Sequence, residues 1–156
     1  MKVQLLTVSQ RQPRWVVDGC AEYEKRMPRP WHFRCVEVKP AARTSGADGA
    51  KVRADEARRL RAAIPGGART IVLDEGGAAW STKQFADQFA RWQREARDLF
   101  FVIGGADGFD PSFRKAADHS LSLSPMTMPH GLARVVFIEQ LYRIATVLDG
   151  HPYHKS

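Results

Sequence analysis

The sequence predicts an α/β fold, a mostly parallel sheet with helices on both faces. Three observations carry that prediction. Short apolar runs alternate with longer amphipathic ones along the whole chain, the pattern of successive strand–helix units. The run Leu99–Ile103 is apolar at every position, as a strand covered on both faces requires. Three of the apolar runs end in glycine- or proline-rich segments, where an open α/β sheet places its ligands, beyond the carboxyl ends of the strands.

Each element has its own signal. Residues 2–9 read as the first strand. Residues 14–27 follow as a helix with Trp15, Val16, Cys20 and Tyr23 at helical spacing, stopped by Pro28-Arg29-Pro30. Residues 32–39 alternate through Phe33, Val36 and Val38 as a second strand. Residues 43–49 are polar and glycine-containing, a mobile loop in this reading. Residues 50–64, rich in Ala, Arg and Leu, form a helix ended by Pro65-Gly66-Gly67. Residues 70–74 are a third strand, running into Glu75-Gly76-Gly77. Ser81 with Gln84 three residues on is a capping box, opening a helix to about residue 97. Leu99–Ile103 is the central strand, followed by Gly104-Gly105-Ala106-Asp107-Gly108. Asp110-Pro111 starts a short helix to residue 118, as an N-cap followed by proline at the first helical position. Residues 119–124 alternate as a last strand, 125–129 form a loop, and 132–148 form a helix apolar nearly all round. Residues 151–156 are a polar tail. The order is β-α-β-α-β-α-β-α-β-α, without repeat or linker, and residues 1–156 read as one domain.

Composition narrows the function classes. At 156 residues, with 44% hydrophobic and 26% charged side chains, the chain is globular in composition. No apolar run approaches a membrane span, and the opening Met1-Lys2-Val3-Gln4-Leu5-Leu6 lacks the features of a signal peptide. The two cysteines, Cys20 and Cys35, have neither zinc nor redox-motif spacing, which points to the reduced cytoplasm and to buried, inert thiols. The net charge of +7 is uneven: residues 1–69 carry 15 basic and 7 acidic side chains, and residues 70–156 carry 9 and 10. A cationic first half suits a polyanionic partner, and equally a face tuned only for solubility.

The candidate chemistry sits at the strand ends. Gly104, Gly105 and Gly108 give G-G-x-x-G, which is neither the dinucleotide fingerprint nor a phosphate loop. Two adjacent glycines let a planar ligand approach the backbone, though they also make a plain tight turn. The segment Leu121 to Pro129 sets two prolines around two methionines and carries three hydroxyl residues, so it either brackets a purine-like ring or packs on the last helix. In that helix Glu139 and Arg143 stand at i, i+4, as a surface ion pair or as charges at an interface. Its apolar circumference asks for burial on two sides, by the core and by a second subunit. The tail His151-Pro152-Tyr153-His154 carries titratable rings, but no carboxylate or cysteine cluster accompanies it, so no metal is expected.

These residues also resemble a known family. The run from Leu121 to His130, the helix through Glu139 and Leu141-Tyr142-Arg143, and the terminal H-P-Y-H look like the large-subunit ribosomal RNA pseudouridine N3-methyltransferases of the SPOUT superfamily. The likeness extends over the whole chain, from Lys2-Val3-Gln4-Leu5 and Pro13-x-Trp15 onward, and the terminal motif is its most specific part. One departure is Gly131 after His130, which bears on where the last helix starts. The resemblance implies a carboxyl-terminal trefoil knot, which no pattern argument proposes because true knots are nearly absent from proteins. It implies a homodimer with the last helix at the interface. It implies S-adenosyl-L-methionine bound by Leu73, Gly104, Gly105, Leu123, Ser124, Pro125, Met126, Thr127 and Met128. It implies as substrate a pseudouridine of 23S ribosomal RNA in the assembled ribosome. The N3–H is a weak acid, so its proton must be taken or the anion stabilised. His154 or Tyr153 would accept it, Arg143 and Arg134 would stabilise charge or hold phosphate, and His130 would orient a ligand. Two other readings compete: a non-catalytic basic RNA- or ribosome-binding module on the same fold, and a small flavodoxin-like oxidoreductase, which the glycine pattern and the basic charge oppose.

Overall fold

The computed structural model describes residues 1–43 and 48–155. Its strands are β1 (Val3–Val8), β2 (Arg34–Val38), β3 (Arg69–Ala78), β4 (Leu99–Ile103) and β5 (His119–Leu121). Its helices are α1 (Arg14–Glu24), α2 (Gly49–Ala63), α3 (Thr82–Glu95), α4 (Pro111–Ala116) and α5 (His130–Asp149). Short 3₁₀ turns occupy Arg29–Trp31 and Pro152–Lys155. The strands form one sheet in the order β2-β1-β4-β3-β5, and every pairing is parallel. The expected alternation of strands and helices is therefore present, and the sheet is wholly rather than mostly parallel.

Side-chain alternation in the strands divides the core in two. Leu5, Ile71, Leu99, Phe101 and Ile103 point to the face covered by α1, α3 and α5. Leu6, Val8, Val72, Phe100 and Val102 point to the face covered by α2 and α4. The first layer is aromatic at its centre, where Phe85 and Phe137 pack around Phe101 at ring separations of 6.0 and 4.7 Å. Such pairs add roughly 0.5–1.5 kcal/mol each beyond the area they bury. This layer fixes α5 across the sheet, and α5 carries a site element at each end.

Several element ends fall a few residues from the sequence expectation, α1 for instance ending at Glu24, and three of these differences and the tail bear on the site. β3 does not end at Asp74. Leu73 and Ala78 both pair with Leu121, so residues 74–77 bulge out and the strand resumes, its Ala78 carbonyl accepting from Ser122 N–H at 2.9 Å. Gly77 permits this, because a Cβ there would stand 2.7 Å from the Ser120 carbonyl carbon. β5 is shorter than residues 119–124, ending at Leu121 just before the Ser122 N–H bond to Ala78. α5 begins at His130, two residues early. Gly131 is why the helix start packs so near α1: a Cβ would meet Val16 Cγ2 at 2.8 Å. The polar tail is not loose, because Tyr153 packs on Tyr142 at 4.7 Å between ring centres within the second 3₁₀ turn. Of the mobile loop expected over 43–49, residues 44–47 lie outside the described residues. α2 starts behind Asp48, whose side chain accepts from Ala50 N–H.

Candidate active site

A cavity of about 290 Å³ opens at the carboxyl ends of β3 and β4. Leu73 and the bulge residues Asp74 and Glu75 form one side, Gly104 and Gly105 the floor, and Leu123, Ser124, Met126, Thr127 and Met128 the opposite wall. His130 and Ala133 of α5 close one end. The structure thus brings together, in one hollow, all the residues predicted to hold a cofactor except Pro125. A β-bulge next to the hollow is in keeping with how bulges re-aim side chains at functional sites. The 122–128 wall is braced by its own hydroxyls: Ser122 donates to the Ser124 carbonyl at 3.1 Å, and Ser124 Oγ accepts from Met126 N–H at 2.9 Å.

The glycine turn is more than a tight connection. Gly108 has φ of 79°, the conformation glycine tolerates best, and its N–H closes the turn onto the Gly105 carbonyl at 3.0 Å. Gly105 is glycine for another reason: a Cβ there would lie 2.5 Å from Glu56 Oε1. Glu56, on α2, is buried, and its Oε2 accepts from Ala41 N–H at 3.1 Å while Oε1 has no partner among the described residues. Burial, reinforced by the nearby Asp107 carboxylate, pushes the Glu56 carboxyl above its usual range. The folded chain therefore holds this proton more tightly than the unfolded one. Glu56 favours folding below about pH 4.5 and loses that advantage as pH rises through its raised value. Glu56→Gln, which cannot ionise, should gain thermal stability over the natural chain progressively from pH 4.5 to 7. Thermal melts across that range check this, and parallel curves would refute it.

Of the remaining predicted residues, His130 borders the hollow and Arg134, Arg143, Tyr153 and His154 stand elsewhere. α5 is 20 residues long, about 30 Å at 1.5 Å per residue, and His130 sits at its start. Arg143 stands about 20 Å further along the helix at 1.5 Å per residue, where the 3₁₀ turn that carries Tyr153 and His154 packs back on it. Arg143 donates to both carboxylate oxygens of Glu139, at 2.9 and 3.2 Å, and stacks over Tyr153. Burial and a hydrogen bond with Tyr23 push the Tyr153 phenol up to about 12, so at pH 7 it is a donor, not an anion. Arg134 turns inward. It is 5% exposed and donates to Thr7 Oγ1 at 2.9 Å, Ser9 Oγ at 2.6 Å and Glu37 at 3.3 Å, tying α5 to the ends of β1 and β2. Desolvation, with the Arg134 cation adding to it, pushes the His130 imidazole down and keeps it neutral.

Burial likewise raises the Cys20 and Cys35 thiols, to about 11 and about 12, which leaves both protonated and unreactive. Among the described residues, no group of three or more His, Cys, Asp or Glu side chains is placed to hold a metal ion. Sequence reasoning placed Asp74 and Glu75 at a candidate strand end without giving them a role, and it missed Glu56. Glu56 did leave a signal, since it falls on the buried stripe of α2 with Val52 and Leu60, where a carboxylate is out of place.

Comparison with known proteins decides what this hollow belongs to. The family model described as "Predicted SPOUT methyltransferase" matches residues 1–154. The chain belongs to the SPOUT methyltransferase family. Relatives called "Ribosomal RNA large subunit methyltransferase H" are alike along their whole length. Those of Burkholderia vietnamiensis and Burkholderia ambifaria are each 44% identical over 156 residues, covering 100% of both chains. That of Nitrosospira multiformis is 43% identical with the same coverage. As a SPOUT methyltransferase the protein is an enzyme of methyl transfer, and the cavity at the ends of β3 and β4 is its candidate donor site.

The lining suits a methyl donor better than a phosphate-bearing cofactor. Among the described residues no lysine or arginine lines the hollow, while Asp74 and Glu75 do. An adenosyl group would find leucine and methionine walls, and a cationic sulfonium would find carboxylates.

Proposed function

We propose that this protein is an S-adenosyl-L-methionine-dependent methyltransferase acting at N3 of pseudouridine-1915 of 23S ribosomal RNA in the assembled ribosome, as one SPOUT domain over residues 1–156. The observation that carries the proposal is the Gly104–Gly105 floor facing the loop from Leu123 to Met128, in a hollow whose described lining holds no lysine or arginine. It sits within a chain alike end to end to ribosomal RNA methyltransferases. When bound, S-adenosylmethionine supplies an electrophilic methyl group on a sulfonium centre.

The chain's own residues do the rest. Leu73, Gly104, Gly105 and the wall of Leu123, Ser124, Pro125, Met126, Thr127 and Met128 bind and orient the donor, and holding two reactants in line supplies much of the rate. His130, neutral beside the hollow, orients the base by accepting a hydrogen bond. The tail of a second subunit completes the site. Tyr153 donates a hydrogen bond, His154 takes the N3 proton, and Arg143, steadied by Glu139, stabilises the developing anion. Arg134 acts from within the fold, holding α5 and with it His130 in place. A homodimer is part of this reading because the tail packs about 18–20 Å along α5 from the end that borders its own cavity, and because Leu132, Leu148, Trp15 and Val17 leave apolar surface exposed on α5 and α1. The same reading threads the carboxyl-terminal part as a trefoil knot. In its support, β5 lies at the sheet edge beside β3, yet α5 crosses back to pack on α1 and α3. It places the enzyme in the cytoplasm, where ribosomes are. No helix among the described residues is long and apolar enough to cross a membrane.

The experiment is titration calorimetry with S-adenosylmethionine and S-adenosylhomocysteine, followed by methyl transfer to ribosomes lacking the modification. Saturable binding and transfer to that one nucleotide are expected. No binding with ribosomes present would overturn the proposal in favour of a non-catalytic RNA-binding module.

A further inference from the structure

A second cavity of about 650 Å³ lies beside the donor hollow and shares Ala106 and His130 with it. Its walls come from the chain after β1, the chain after β2, and α2. They present Gln10, Gln12, Lys39, Arg43 and Arg59. Its three cations stand beside the carboxylates of Glu56 and Asp107, whereas the described lining of the donor hollow holds Asp74 and Glu75 and no lysine or arginine.

Three features mark it as built. Arg59 donates to the carbonyls of Lys39 and Pro40, at 2.8 and 2.9 Å, and so fixes the wall that carries Lys39. Arg43 pairs with Asp107 of the glycine turn, joining that wall to the donor floor. Glu56, buried beneath, reaches the same wall through Ala41 N–H and aims an unpartnered Oε1 at Gly105. The two cavities are thus held in fixed relation by one set of contacts.

Size then separates their occupants. About 290 Å³ is near the lower limit of a small-ligand pocket, roughly 300 Å³, so the donor hollow holds the donor and little more. The methyl acceptor must still arrive beside it. The neighbouring cavity is large enough for a nucleotide, meets the donor hollow at His130, and carries the uneven positive charge of the first half of the chain to that meeting point.

We infer that the cavity lined by Gln10, Gln12, Lys39, Arg43 and Arg59 is the seat of the RNA strand next to the modified base, with a phosphodiester held by Lys39 and Arg43 and a base edge read by Gln10 and Gln12. The inference rests on the proposed function for the identity of the RNA. Amide side chains offer a donor and an acceptor to a base edge, and cations offer phosphate contacts that weaken with salt.

The test is binding of the full-length protein to purified bacterial ribosomes by co-sedimentation at several salt concentrations, which needs no turnover. Lys39→Glu and Arg43→Ala are compared with Lys83→Glu, a charge reversal on α3 away from both cavities. Affinity for ribosomes should fall about tenfold or more in the first two, with the salt slope reduced by about one for each phosphate no longer neutralised. Lys83→Glu should bind as the natural chain does, and Lys39→Glu, which breaks no contact to the glycine turn, should bind S-adenosylmethionine normally. Gln10→Ala, which keeps the charge, should raise the KM for ribosomes with kcat little changed. Unchanged affinity and slope in Lys39→Glu and Arg43→Ala, or the same loss in Lys83→Glu, would overturn the inference, as would failure of the natural chain to bind ribosomes. A natural chain that binds ribosomes but transfers no methyl group would instead count against the proposed function.

Discussion

Gly105→Leu should lose S-adenosylmethionine binding by at least about 100-fold, about 2.8 kcal/mol at roughly 1.4 kcal/mol per decade, while the subunits still associate. The expectation comes from what lies under the glycine. A Cβ at Gly105 would already meet Glu56 Oε1 at 2.5 Å and its carboxyl carbon at 3.1 Å. Glu56 cannot retreat freely, because it is buried and its other oxygen holds Ala41 N–H. The leucine is therefore forced up, into the floor of the donor hollow, or the whole turn is displaced. Gly108→Ala is the control within the same turn. Nothing lies within 4 Å of a Cβ there, and only the φ of 79° is strained. It should cost about 1–2 kcal/mol of stability and much less donor affinity than Gly105→Leu. Gly105 lies in the turn after β4, and the exposed apolar residues Trp15, Val17, Leu132 and Leu148 lie on α1 and α5, so the oligomeric state read by light scattering should be unaltered. Calorimetry decides the matter: a folded Gly105→Leu protein that binds the donor within a few-fold of normal removes the glycine turn from the site.

How far the sequence reveals this arrangement depends on the range of the signals. Strand and helix order is legible because period-2 and period-3.6 patterns are local, and Leu99–Ile103 declares a doubly covered strand by itself. The donor hollow is legible too, since the chain turns at strand ends and those turns contain the glycines. The continuation of β3 is not. Gly76-Gly77 reads as the end of a strand, and only the approach of Ser120 and Leu121 from another strand turns it into a bulge. Arg134 is illegible for the same reason. Its partners Glu37, Ser9 and Thr7 lie 97 to 127 residues earlier in the chain, and on the helix alone it looks like a cation free to meet a phosphate. Glu56 is an intermediate case, out of place on an apolar stripe but submerged in a segment whose net charge is strongly positive. The separation of the tail from the cavity is fixed by the length of α5, which the sequence shows, and by its direction across the sheet, which it does not.

That separation makes removal of residues 153–156 the second large effect. Turnover should fall by about 10²–10⁴-fold, the usual contribution of a general acid or base, with donor affinity nearly unchanged. Within one chain the tail touches Tyr142, Arg143 and Tyr23, and the α5 residues among these lie about 18–20 Å along that helix from His130 at 1.5 Å per residue. In the proposed dimer that separation keeps the tail from the donor of its own subunit, and a large loss of turnover then passes through the partner. Mixed dimers read this directly. Gly105→Leu subunits keep the tail and lose the hollow, while truncated subunits keep the hollow and lose the tail. Neither works alone. If the tail serves the other subunit, a heterodimer of the two rebuilds one complete site, and random equal mixing should return about a quarter of the natural rate under two-fold symmetry. If the tail served its own subunit, the mixture would stay inactive, because no chain would carry both halves. A truncated enzyme as fast as the natural one would take Tyr153 and His154 out of the chemistry. The N3 proton would then fall to His130, the one imidazole among the described residues that borders both the donor hollow and the cationic cavity beside it.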